Sequence, residues 1–164
     1  MKLCNCTLLS FLLMFFIAES CSKSENEEVA PKYVGTWERT WHDDELDANL
    51  KQVLILEAQT FNSEISVQLG DSYVLNKKFS GTLAVVDNTL EAQIKKLAVF
   101  SENEIVLNSR EGDSNFGEDV FAHLSIHPVF IGAWFFVPGE LTLRLDMDGD
   151  GSVRGDEGLF VFQK

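Results

Sequence analysis

Period-two alternation, broken at short intervals by turn residues, leaves this chain few folds to choose from. Phe61, Ser63, Ile65, Val67 and Leu69 alternate with polar residues, so a strand through them buries one face and wets the other. Gly70-Asp71 turns the chain and Ser72 to Phe79 follows as a strand. Ser80-Gly81 reads as a further turn, and Thr82 to Val86 pairs through the tight turn Asp87-Asn88 with Thr89 to Phe100. Upstream, Tyr33 to Trp41 is aromatic and β-branched, Asp43 to Leu50 reads as one helical turn or a loop, and Gln52 to Ala58 is apolar enough for burial on both faces. Downstream come a short strand at Glu104 to Asn108 and a polar, mobile loop at Ser109 to Gly117. Strands at Glu118 to His127 and Val129 to Val137 then flank a bend at Pro128. Leu141 to Leu145 and Gly158 to Gln163 bring the total to about nine or ten strands. With no long segment at helical period, the pattern predicts an all-β domain, either an antiparallel β-barrel or a β-sandwich.

Val34-Gly35-Thr36-Trp37 puts a Gly-x-Trp on the first strand, and Ser80 to Leu90 reads S-G-T-L-A-V-V-D-N-T-L. These stretches resemble the lipocalin-like domains of bacterial lipoproteins and their central hairpin. The resemblance spans Tyr33 to the C-terminus in general pattern. It implies a barrel over 32–164 in which Gly35 lets the chain cross the floor and Trp37 plugs it.

Between the last two strands lies Asp146 to Glu157, D-M-D-G-D-G-S-V-R-G-D-E. Its spacing resembles the EF-hand calcium loop, with Asp146, Asp148, Asp150, Gly151 and Glu157 on loop positions 1, 3, 5, 6 and 12. A hard cation seeks about six to eight oxygen ligands, so the backbone must wrap it, and glycine at the sixth position permits the reversal. The resemblance implies Ca²⁺ held by Asp146, Asp148, Asp150, Glu157 and the Ser152 backbone carbonyl, with Arg154 where a water-mediated ligand is usual. The helices of an EF-hand are missing from the pattern. Pro138-Gly139 breaks any upstream helix, and Leu141, Leu143 and Leu145 alternate with Thr142 and Arg144. The loop is therefore expected to join two strands and to brace them, not to switch.

The first segment reads as targeting. Lys2 gives a basic start, and Leu8 to Ala18 is an apolar run of eleven residues, too short to span a bilayer. Ala18-Glu19-Ser20-Cys21 resembles the lipobox of bacterial lipoproteins, which implies removal of residues 1–20 and a lipid on Cys21. An ordinary signal peptidase would cut the same bond after Ala18-x-Ser20 and leave a secreted, unmodified protein. Cys4 and Cys6 leave with the signal, so Cys21 is the one remaining thiol and no disulfide is available. Residues 21–31, with Glu25, Glu27 and Glu28 and no aromatic residue, read as a disordered tether. That acidic run resembles the surface-export signal of Bacteroidetes lipoproteins, with a plain solvated linker as the alternative. The expected location is the outer membrane, on the cell surface or the periplasmic face.

A formal net charge of −13 over 164 residues argues against nucleic acid as a partner. The loop contributes five acids against Arg154, which is costly without a counter-ion or good solvation. There is no Gly-rich phosphate loop and no nucleophile elbow, so a catalytic role is not expected. His123 and His127 would share one face of a strand, but with no third ligand beside them they read as its wet side. Phe130, Trp134, Phe135 and Phe136 fill a core or line an apolar cavity, the core being the expected outcome. Together these features predict a calcium-binding, lipid-anchored envelope module of binding or structural type. The alternative is a carrier or receptor for a small apolar ligand, with calcium only bracing the last hairpin.

Overall fold

Odd-numbered residues of the first strand point into the protein and even-numbered ones point out, as the alternation predicts. The computed structural model describes residues 31–147, 150, 151, 153 and 158–164. The signal segment, Cys21, the tether before Pro31 and the loop residues Asp148, Ser152 and Glu157 lie outside the described residues. Among the described residues there are nine strands and one helix. In chain order they are β1 Gly35–Asp43, β2 Ala48–Leu56, β3 Thr60–Leu69, β4 Ser72–Val86, β5 Thr89–Ser101, β6 Glu104–Arg110, α1 Phe116–Leu124, β7 Val129–Val137, β8 Glu140–Leu145 and β9 Leu159–Gln163.

Eight of these strands close into an antiparallel barrel, the lipocalin-like alternative of the two all-β architectures. Each of β1 to β5 pairs with the next, β5 pairs with β7, β7 with β8, β8 with β9, and β9 returns to β1 through Glu38 and Gln163. The ninth strand, β6, lies off the ring. It shares one edge of β5 with β7: Thr89 to Gln93 face β7, whereas Lys96 to Ser101 face β6. Between the two, the Ile94 amide donates to the Pro128 carbonyl at 2.7 Å, so the handover leaves that amide satisfied.

Closing a sheet on itself requires bent strands, and β-bulges supply the bends. Registers shift at Ile65/Ser66, at Ser80/Gly81 and at Val99/Phe100. The second of these corrects the expected turn at Ser80-Gly81. β4 runs through it without a break, because β3 and β5 pair with it on both sides of the bulge. Gly81 is required there, since a Cβ would stand 1.9 Å from the Gln93 carbonyl oxygen.

Two further expectations are corrected. Asp43 to Leu50 is a loop only at residues 44–47, because β1 runs to Asp43 and β2 begins at Ala48; Asp43 Oδ1 accepts the amides of Glu45 and Leu46 to cap this short turn. Glu118 to His127 is not a strand. Its first part is α1, which starts at Phe116 within the expected loop and buries Phe116 and Val120, one helical turn apart. Glu118 and Asp119 sit in the first turn, where the helix dipole favours acids, and Ser125 ends the helix in the left-handed region at φ 56°. Asp119 also accepts a hydrogen bond from the buried Ser109 hydroxyl at 2.6 Å, which ties α1 to β6. The hairpin at Asp87-Asn88 forms as expected, with Asp87 at φ 53°.

Candidate functional site

The barrel has a packed floor and a hollow above it. At the floor Trp37 is fully buried and donates its indole N–H to the Tyr33 carbonyl, and Trp37 and Phe136 meet edge to face at 6.0 Å. The Tyr33 ring meets Trp134 at 5.4 Å. The last residue, Lys164, brings its ammonium to 5.4 Å from the centre of the Trp37 ring.

Above the floor is a cavity of about 290 Å³, close to the smaller ligand pockets known, which start near 300 Å³. Its wall is mostly apolar and includes Leu54, Leu83, Leu90, Phe130, Leu143 and Phe162. At the end away from the floor the lining includes Leu46 of the β1–β2 turn, His123 and Ser125 at the end of α1, and Met147 just beyond β8. The aromatic run therefore divides: Phe130 and Trp134 line the cavity, Phe136 packs on Trp37, and Phe135 faces outward, about half exposed.

Two cations interrupt the apolar wall. Arg39 follows Trp37 on the inward row of β1, and its guanidinium lies 4.1 Å from the centre of the Trp41 ring and 4.3 Å from that of Phe160. Its Nε donates to Gln52 Oε1 at 2.6 Å, and Gln52 Nε2 donates in turn to Ser63 Oγ at 2.8 Å. Arg39, Gln52 and Ser63 thus form a polar ladder across three adjacent strands, directed by the register that pairs Arg39 with Gln52. Burial pushes the Arg39 guanidinium down to about 10, which leaves it charged at neutral pH. Lys77 donates to the His123 carbonyl at 2.7 Å; burial lowers its pKa, partly offset by the charge of Asp43.

Arg39 was not singled out from the sequence, although the signal was there. In Trp37-Glu38-Arg39-Thr40-Trp41 a strand puts the arginine on the same face as both tryptophans, and that face is the inward one.

The acidic loop leaves the same end of the barrel, between β8 and β9, so the expected flanking strands are present. Asp146, at the first loop position, is buried, its amide donates to the Ile131 carbonyl at 3.0 Å, and its Oδ2 accepts the Gly151 amide at 2.8 Å. Gly151 has φ 83°, the sharp reversal expected at the sixth position. Asp150 is exposed beside it. The other expected ligands, Asp148, Ser152 and Glu157, lie outside the described residues, and among the described residues no three acids, histidines or cysteines come together as a metal cluster. His123 and His127 do not share a strand face. His123 ends α1, while His127 follows it and sets its ring 5.3 Å from that of Phe121.

Fold and site together define a small closed β-barrel with an internal, largely apolar cavity lined in part by a half-buried arginine. No known protein family, curated protein or solved structure matches the chain.

Proposed function

We propose that this protein is a cell-envelope binding module that takes up a small, mainly apolar ligand inside its barrel. The observation that carries this reading is the cavity of about 290 Å³, walled by aliphatic and aromatic side chains with a few polar groups placed among them. Burying an apolar ligand there contributes about 25 cal/mol for each Å² removed from water, which suits a carrier or receptor. The test is a titration with a neutral fluorescent naphthylamine probe. Stoichiometric uptake, reversed by a lipid extract, is the expected result, and no uptake would overturn the reading.

A second element of the proposal is Ca²⁺ in the 146–157 loop, bracing β8 against β9. It is favoured by Asp146, which is buried and whose carboxylate accepts the amide of Gly151, the residue at the sixth loop position. Asp146 and Asp150 would supply oxygen ligands, together with Asp148, Ser152 and Glu157. Anchoring through a lipid on Cys21 rests on the sequence pattern alone. Expression in a lipoprotein-competent bacterium should add a diacylglyceryl mass to the polypeptide that begins at Cys21, and a free Cys21 thiol would reject it.

A further inference from the structure

We propose that the barrel ligand is a single-chain amphiphile with one carboxylate head, and that Arg39 reads that head. This rests on the cavity being a ligand site.

The surroundings of Arg39 leave one part of it unused. Trp41 and Phe160 lie against the guanidinium, and Nε is engaged by Gln52. Gln52 is itself held as an acceptor toward Arg39 because its amide nitrogen is committed to Ser63. The bond to Gln52 is the only hydrogen bond of the Arg39 side chain among the described residues, and no described carboxylate pairs with it. Asp43 lines the same cavity, but it stands further along the inward row and acts on Lys77. What remains is the pair of terminal nitrogens, the edge with which arginine grips a carboxylate in bidentate fashion. A cation kept in an apolar barrel without a counter-charge destabilises the folded protein. A ligand carboxylate supplies the missing charge and the missing acceptors together.

Size and topology narrow the ligand further. About 290 Å³ has no room for a two-chain lipid, and one guanidinium neutralises one monoanion. Lys77 donates to the His123 carbonyl and is acted on by the charge of Asp43, so it does not call for a second acidic group. Around the ring, β5 stands four strands from β1 in either direction. That opposite side, from β4, β5 and β7, contributes Leu83, Leu90 and Phe130 to the lining, an apolar surface for the tail.

The experiment is displacement of the neutral naphthylamine probe from the purified protein by decanoate, decanol, methyl decanoate and decyl phosphate. Decanoate is expected to bind at least about tenfold more tightly than the alcohol or the ester, the worth of a hydrogen bond to a charged group. Arg39→Met should bring decanoate down to the level of decanol and leave decanol unchanged or stronger. Arg39→Lys, which keeps the charge without the fork, should retain part of the preference. Equal binding of decanoate and decanol, or an undiminished preference in Arg39→Met, would overturn the assignment of Arg39. Tighter binding of decyl phosphate than of decanoate would overturn the carboxylate. If Arg39→Met does not fold, a preference in Arg39→Lys as large as in the wild type overturns the assignment of Arg39, and the wild-type ranking alone decides between carboxylate and phosphate. Failure of the probe and of every decyl compound to bind would instead remove the carrier reading itself.

Discussion

Trp37 donates its indole N–H to the carbonyl oxygen of Tyr33 at 2.8 Å, four residues back along the chain and with no part of the tryptophan exposed. This bond fastens the segment entering the barrel to the side chain that closes its floor. Trp37→Ala is expected to cost about 3 to 5 kcal/mol, as for a large buried aromatic. Trp37→Phe, which keeps much of the packing and orphans the Tyr33 carbonyl, should cost about 1 to 3 kcal/mol. Trp41→Ala, on the half-buried side of Arg39, should cost less than Trp37→Ala. Urea unfolding of the three variants checks the order, and equal small losses at both tryptophans would show that Trp37 is not a plug.

Arg39 carries its charge at a cost, because burial lowers its pKa from the usual guanidinium range to about 10. For a base, a lowered folded-state pKa means that the folded form disfavours the proton. The penalty is present in full below about pH 10 and is relieved only as pH rises from there toward the pKa of the unfolded chain's guanidinium. Arg39→Met, which removes the charge and keeps an apolar chain, is therefore expected to stabilise the ligand-free protein at neutral pH by on the order of 1 to 3 kcal/mol, less the lost stacking on Trp41 and Phe160. The gap between variant and wild type should narrow as pH rises through about 10. Thermal unfolding at pH 7 and at high pH measures both, and a destabilised variant would mean that stacking and the Gln52 bond outweigh desolvation.

Gly81 lies where β4 bends across β5. A methyl group there would meet the Gln93 carbonyl oxygen at 1.9 Å and the Phe61 ring at 2.9 Å, so the backbone itself must move. Gly81→Ala is expected to destabilise by about 1 to 3 kcal/mol or more. Gly70→Ala has open space and only its positive φ of 62° to contend with, so it should cost less, about 1 kcal/mol. Denaturant midpoints of the two variants give the comparison.

Calcium in the 146–157 loop should raise the thermal midpoint more than magnesium does, since the loop offers many oxygens and no small octahedral cage. With an affinity on the order of 10⁻⁴ to 10⁻³ M, a hundredfold excess over the dissociation constant adds about 2.7 kcal/mol. The double variant Asp148→Ala with Asp150→Ala should lose this gain. Equal responses to the two cations, or an unchanged response in the variant, would reduce the loop to an acidic turn.

Local pattern by itself determined much of this protein. The inward row through Gly35 and Trp37, the hairpin at Asp87-Asn88 and the strands on either side of the acidic loop follow from alternation and turn chemistry, which act over a few residues. Pairing between distant segments decided the rest. Ser80-Gly81 has the composition of a turn, yet strands on both sides hold it in register and make it a bulge. In Phe116 to Ile126 the apolar residues Val120, Leu124 and Ile126 fit a strand as well as a helix. The segment became α1 between two strands, β6 and β7, that already share the edge of β5. Closure through Glu38 and Gln163, and with it the choice of barrel over sandwich, joins residues 125 positions apart, and no local pattern records that contact. The cavity is of the same kind. An inward-facing leucine reads alike whether its neighbour across the barrel touches it or leaves a gap, and whether Arg39 faces a partner or a hollow depends on the diameter that eight tilted strands enclose.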